Sequence, residues 1–202
     1  MILVGQYDSP YVRRVAISLR VLGFAYEHDT RSVFGDFDSI RKTNPAGRIP
    51  ALVLDDGSVL VDSGVILDYL DETVGPERAL IPPSGPARRQ VLHRVALACA
   101  ATDKAGAANY ERLLRPPQYQ WPEWIARLQT QARGAIAALE ALPWPEDAPL
   151  DQAAITTACV LRYIALRSPD LAPPARYPNL AALAARLERR PEFQATYPPD
   201  DA

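Results

Sequence analysis

Ser9-Pro10, Arg48-Ile49-Pro50 and Asp62-Ser63 are the places in this 202-residue chain where residue type and spacing suit chemistry. Ser9 stands directly ahead of an apolar run, and a serine followed by proline is an ordinary way to begin a helix. The hydroxyl accepts an orphan backbone N–H, and proline at the first helical position has no N–H to satisfy. The same hydroxyl still has a proton to give, so it can cap a helix and also donate to a reactive group at the helix mouth. Asp62-Ser63 precedes a second helical run. Beyond capping, a helix start offers free N–H groups and a partial positive charge, which suits a carboxylate ligand. Pro50 opens a strand, where its missing donor is tolerated.

The histidines are His28 and His93 and the cysteines Cys99 and Cys159. None is spaced as a metal ligand set, and there is no Cys-x-x-Cys pair, so no metal site, disulfide framework or intrinsic redox pair is expected.

The elements that must position these residues are legible. Ile2–Val4 reads as a strand and Pro10–Leu22 as a helix, with Val12, Val15, Ala16, Leu19 and Leu22 on one face and Gly23 as its stop. A strand over 24–28 follows, and a strand–helix–strand unit of this length implies a parallel pair. An irregular, partly helical stretch runs to Asn44-Pro45. In "IPALVLDDGSVLVDS" two apolar strands flank Asp56-Gly57, which predicts an antiparallel hairpin with a two-residue type I′ turn. A helix from Ser63 then carries Ile66, Tyr69, Leu70 and Val74 and ends at Gly75. "IPPSGP" reads as a stiff linker.

Beyond it, alanine, leucine and arginine dominate and strand signals fade, so an all-helical domain is expected. Ile125, Leu128, Ala132, Ala135, Leu139 and Leu142 form its clearest stripe. Further helices begin after Asp151 and run over 178–190, where Pro191 ends the last. Asp151-Gln152-Ala153-Ala154 can cap without the reciprocal bond of a full capping box. The expected division is a domain over 1–78, a linker over 79–86 and a helical domain over 87–202.

With 48% hydrophobic and 23% charged residues the composition is that of a globular domain. A net charge of −2 lacks the basic footprint of a nucleic-acid binder. No apolar run is long enough to span a bilayer, and Met1-Ile-Leu-Val-Gly has no secretory character, so a cytoplasmic protein without membrane or nucleic-acid partners is expected.

Three motifs, "SPYVRR" at Ser9, "NPAGRIPAL" at Asn44 and "DSGVILDYL" at Asp62, together with "PNLAALAARLERRPEF" near the end, resemble the glutathione S-transferase superfamily. The resemblance spans essentially the whole chain and is nearest to a bacterial, serine-type, YibF-like branch. It implies a glutathione transferase fold: a thioredoxin-like α/β domain of order βαβαββα, followed by an all-α bundle. It also implies a cis bond at Ile49–Pro50, with the backbone of Ile49 pairing with the cysteinyl part of glutathione and Arg48 beside the tripeptide. Ser63 would bind the γ-glutamyl carboxylate and Asp62 the ammonium. Ser9 would donate to the sulfur.

The tyrosine of tyrosine-type members would fall at Gly5, and Tyr7 does not match it. Ser9 replaces the cysteine of cysteine-type members, so a mixed disulfide cannot form there. Asp8 works against Ser9, because a carboxylate beside the sulfur raises its pKa. Tyr7, Tyr11, Asn109 and Tyr110 are candidates to line a second-substrate site. The implied activity is a glutathione transferase of detoxification type acting on a small electrophile, with glutathione as co-substrate, no metal, and a homodimeric state. The alternatives are a binding or interaction module of the same fold with little catalysis, and a glutathione-dependent reductase lacking an enzyme cysteine.

Overall fold

The computed structural model describes residues 1–198. The described residues fold as two compact units, the first formed by Met1–Gly85 with residues 189–198, the second by Pro86–Glu188.

The first unit holds β1 (Ile2–Val4), α1 (Pro10–Leu22), β2 (Glu27–Asp29), α2 (Phe37–Thr43), β3 (Ala51–Val53), β4 (Val59–Val61) and α3 (Ser63–Val74). Its sheet has the order β2-β1-β3-β4. β1 runs parallel to β2, pairing Leu3 with His28, and antiparallel to β3, pairing Leu3 with Leu52. This is the expected thioredoxin-like mixed sheet, with β2 one to three residues later than the sequence suggested. The apolar face of α1 buries Val12, Val15, Ala16, Leu19 and Leu22. Leu3, Val4, Leu52, Ile66, Leu67 and Leu70 are buried in the same unit. Each such valine, leucine or isoleucine side chain stabilises the unit by about 1.5–3 kcal/mol.

The hairpin differs from the expected type I′ turn. Gly57 N–H donates to Leu54 C=O, Leu54 N–H donates to Ser58 C=O, and only Gly57 takes positive φ (84°). That is a three-residue loop, a type I turn closed by a left-handed glycine. Asp56 stays at ordinary φ because its carboxylate accepts from the Ser58 N–H and hydroxyl at 2.8 and 2.6 Å.

The second unit contains α4 (Gly85–Leu113), α5 (Pro122–Glu140), α6 (Gln152–Arg167) and α7 (Pro178–Leu187). α4 begins inside the stretch read as linker, since Pro86 is tolerated in a first helical turn. The α5 stripe buries Ile125, Leu128, Ala132, Ile136 and Leu139, with Ile136 rather than Ala135 completing it. Asp151 caps α6, accepting from Ala154 N–H at 2.8 Å. The helix expected over 178–190 stops at Leu187, and Pro191 starts a short helix α8 (Pro191–Gln194) instead of ending one. α8 belongs to the first unit rather than to the helical domain assigned to 87–202. The cause is local: the Arg13 guanidinium donates to Thr196 C=O and Phe193 C=O at 3.0 and 3.1 Å, and Phe193 is fully buried.

Candidate functional site

β1 ends at Val4 and the chain must turn into α1 within five residues. Gly5 makes the turn possible, with φ 125°, its N–H donating to Asp29 C=O and its C=O 2.7 Å from Nε2 of the His28 imidazole. A Cβ on Gly5 would lie 2.6 Å from Val12 Cγ2 and 2.8 Å from Ile49 Cβ. No side chain fits there without a shift of Val12 or Ile49, and the turn packs directly against the residue preceding Pro50.

Ser9 is the cap of α1. Its Oγ accepts from Val12 N–H at 3.4 Å, its C=O accepts from Arg13 N–H at 2.9 Å, and its N–H donates to Gln6 C=O. The hydroxyl proton of Ser9 has no acceptor among the described residues. Ser9 is half-buried, and the first turn of α1 carries no acidic residue. A donor at a helix N-terminus, beside a positive dipole end, is arranged to stabilise an anion.

The Asn44–Pro50 turn presents the second element. Asn44 is buried, donates through Nδ2 to Arg48 C=O at 2.7 Å and accepts from Ala46 N–H at 3.0 Å. Gly47 has φ 64°, and a Cβ there would sit 2.5 Å from the Phe37 ring. These constraints deliver an exposed Arg48 and a cis Ile49–Pro50 bond ahead of β3. The backbone N–H and C=O of Ile49 make no hydrogen bond among the described residues. Behind the turn, Arg31 ties Asp29 of β2 to Ser39 and Thr43 of α2 at 2.7–3.3 Å.

The third element is the start of α3. Asp62 caps it, accepting from Gly64 N–H at 2.7 Å, and holds φ 72°, the one positive φ of a non-glycine residue among those described. Such a conformation costs on the order of 1–3 kcal/mol and persists only where surroundings impose it. Ser63 is buried, and its Oγ accepts from Arg14 Nε and Nη2 at 3.2 and 2.6 Å. Arg14 is 5% exposed. It closes the "SPYVRR" motif, but the sequence assigned it no role in the site. The available signal was "RR" on an otherwise apolar helix face: α1 buries both Arg13 and Arg14.

The proposed second-substrate residues divide. Tyr7 stacks on His28, with ring centroids 3.9 Å apart and planes 9° apart, and its hydroxyl lies 2.9 Å from that of Tyr26. Burial first, and then the Tyr26 hydroxyl, push the Tyr7 phenol well above its ordinary value. Tyr7 therefore stays protonated and is committed to bracing the turn. Tyr11 lies under the Arg14 guanidinium, 5.4 Å from ring centroid to carbon. Asn109 and Tyr110 belong to α4 of the second unit: Asn109 is buried, its Oδ1 accepts from the Ser168 hydroxyl at 2.8 Å, and its Nδ2 has no partner among the described residues, while Tyr110 is exposed. No group of three or more His, Cys, Asp or Glu side chains suited to a metal occurs among the described residues, and no helix among them is long and apolar enough to cross a membrane.

Residues 3–78 match the family model described as the glutathione S-transferase N-terminal domain. The chain is 28% identical to the uncharacterized GST-like protein YibF of Escherichia coli K12, covering 98% of this chain and 99% of that one. It is 32% identical to the maleylacetoacetate isomerase of Pseudomonas aeruginosa PAO1, over 69% of each. Among solved structures, a glutathione transferase family member from Pseudomonas fluorescens Pf-5 with bound glutathione shares 39% identity, with 98% of both chains covered and a TM-score of 0.86. The same family member is also known with S-(propanoic acid)-glutathione bound.

Proposed function

Because this chain belongs to the glutathione S-transferase family, we propose that it binds glutathione in the first unit and transfers its thiolate to a small electrophile. The observation that carries the reading is the Ser9 hydroxyl at the mouth of α1, capping through its oxygen while its proton has no acceptor among the described residues. In this reading the enzyme is serine-type and nearest the YibF-like branch.

The energetics fit one donor. Lowering a thiol from pKa near 8.5 by roughly two units takes about 2.7 kcal/mol of selective thiolate stabilisation. A helix dipole supplies about 0.3–1 kcal/mol, and a hydrogen bond to a charged acceptor adds about 1.5–3 kcal/mol. Together they reach the requirement, and neither does so reliably alone. Tyr7 is no rival donor, because its hydroxyl is engaged with Tyr26.

The rest of the tripeptide has matching groups. The unbonded N–H and C=O of Ile49 pair with the cysteinyl backbone as an added strand would. Arg48 lies beside the glycyl side. The N-terminus of α3, with the Ser63 hydroxyl and the Arg14 guanidinium behind it, takes the γ-glutamyl carboxylate, and the exposed Asp62 faces the ammonium. The thiol proton leaves to solvent, the sulfur forms a bond to the electrophilic carbon, and either a leaving group departs or the resulting carbanion takes up a proton. Binding of S-(propanoic acid)-glutathione by the Pseudomonas fluorescens relative, a thioether on a three-carbon acid, supports conjugation.

A second reading is favoured by the 32% identical relative named maleylacetoacetate isomerase. There the thiolate adds to a carbon–carbon double bond, the bond rotates, and glutathione leaves again, so the same Ser9 serves without net consumption. Calorimetry with glutathione, then assays on aryl halides, isothiocyanates, disulfides and a cis-enedione, separate the readings. Conjugate formation supports the transferase, and isomerised enedione with glutathione unchanged supports the isomerase. Turnover of disulfides alone points to the reductase, and binding without turnover points to a binding module. The homodimeric state belongs to the same proposal, and sedimentation at micromolar concentration checks it.

A further inference from the structure

Arg13 is 1% exposed and is one of the largest fully buried side chains among the described residues. A guanidinium taken out of water must be matched by acceptors, or its desolvation is a heavy penalty. Main-chain carbonyls of the C-terminal segment accept from it: Nε–H donates to Thr196 C=O at 3.0 Å and Nη2–H to Phe193 C=O at 3.1 Å. The same guanidinium lies 5.8 Å from the Phe193 ring centre and 5.5 Å from that of Tyr197. Phe193 and Thr196 are themselves fully buried, and the Thr196 hydroxyl donates back to Glu192 C=O and Phe193 C=O at 3.0 and 3.2 Å. Phe193 C=O also takes a long bond from Thr196 N–H at 3.3 Å, and the buried arginine adds a charged donor to the carbonyls at and beyond the end of α8.

The backbone of the same residue closes the first turn of α1, since Arg13 N–H donates to Ser9 C=O at 2.9 Å. The cap itself is weak: Val12 N–H to Ser9 Oγ is 3.4 Å, long against the usual mode of about 2.9–3.0 Å. One residue further, Arg14 reaches from the same helix to Ser63 of α3. Successive helical residues point about 100° apart, so the two arginines brace the start of α1 in different directions.

We propose that Arg13 is a positioning residue for the Ser9 hydroxyl, through which the segment Phe193–Tyr197 holds the first turn of α1 in the geometry that lets Ser9 donate to the glutathione sulfur. The chemistry rests on the glutathione reading above, whereas the bracing of the turn does not. A donor must be held to within about 0.5 Å to be useful, and a long cap bond alone does not hold it so.

The test uses the full chain as wild type, Arg13→Met, Arg13→Lys and Ser9→Ala. Met fills the buried space without leaving a charge unmatched, and Lys retains a donor for the two carbonyls. Two measurements are made: amide hydrogen exchange without ligand, and thiolate absorbance of the glutathione complex against pH. In Arg13→Met, exchange at Val12 should rise about tenfold or more while Leu19 and Leu22 stay near wild type. The bound thiol should shift upward by roughly one unit, a tenfold loss of thiolate below its pKa, with Arg13→Lys between the two. A purely structural Arg13 would lower the unfolding midpoint and leave the titration on the wild-type curve, which overturns the proposal. If Arg13→Met does not fold, Arg13→Lys decides: an upward shift supports the proposal and a wild-type curve overturns it. If wild type binds no glutathione, the proposed function fails separately, and the Ser9 role of Arg13 falls with it; Val12 exchange then reports only whether the tail braces the turn. If Ser9→Ala alone shifts the titration while both Arg13 variants match wild type, the functional reading stands and this one falls.

Discussion

At the scale of single residues, two serines at helix starts do different work. Ser9 caps α1 through its oxygen while its hydroxyl proton has no acceptor among the described residues. Ser63 is buried and its oxygen accepts twice from Arg14. For Ser9→Ala, loss of a bond to a charged sulfur, about 1.5–3 kcal/mol, should raise the pKa of bound glutathione by roughly one to two units. Titrating the thiolate absorbance checks this, and superposed wild-type and variant curves would leave Ser9 as a cap only. Under the proposed function Ser63→Ala acts at the remote end of the tripeptide, in ground state and transition state alike. It should raise KM for glutathione about tenfold or more and leave kcat within about twofold; steady-state kinetics in glutathione reads the split. What the sequence showed at this scale was residue type and offset: serine or Asp-Ser at a helix mouth, and proline at a strand start. It did not show Arg14 or Arg13, because an arginine on a helix is usually a solvated residue, and only the packed structure reveals that both are buried. Nor did it show that Tyr7 is bound to Tyr26, a partner nineteen residues away.

At the scale of elements, borrowed caps hold the ends together. α7 starts at Pro178 without a capping side chain of its own, and Glu140 at the end of α5 supplies one, its carboxylate accepting from Asn179 and Leu180 N–H at 2.9 Å each. Glu140→Ala removes a charged cap and should cost about 1–2 kcal/mol, read as a lower urea midpoint with unchanged slope. The β2–α2 connection depends on Asp29 and Arg31. The Arg31 hydrogen bond holds the Asp29 carboxyl below its ordinary value. A lowered folded pKa means the pair's contribution is fully present above the unfolded value near 3.9 and is lost as pH falls through the lower folded value. The stability gap between wild type and Asp29→Asn, about 1 kcal/mol or less for a part-exposed pair, should therefore be constant from about pH 7 to 5 and close below about pH 4. Urea unfolding at neutral pH and near pH 3 gives the comparison, and a gap that widens in acid would contradict the assignment. Helices with strong apolar periodicity, α1 and α5 above all, were legible within a few residues. The hairpin turn was not, because Asp56 prefers its own side-chain bonds to Ser58 over a left-handed backbone. The end of α7 was missed because Pro191 marks a start as readily as a stop.

At the scale of the whole molecule, the mixed sheet followed by helices was readable from the order of periodicities, but the membership of the last residues was not. "RRPEF" carries no signal that distinguishes a closing helix of the second unit from a piece of the first; that depends on Arg13, some 180 positions away. Phe193→Ala should accordingly cost about 3–5 kcal/mol, and hydrogen exchange should show the loss in α1 before it reaches α5. Seating of Phe193 and Thr196 on a helix that begins at Pro10 also sets an order of events during synthesis. The first unit begins to emerge first and is finished last. While the ribosome still holds the final residues, the sheet and α1 can assemble, yet the guanidinium of Arg13 must wait for carbonyls that have not emerged. While the tail from Phe193 is still withheld in the ribosome tunnel, amides in the first turn of α1 should exchange rapidly, and emergence of that tail should restore their protection, so that the earliest helix is the last to become rigid.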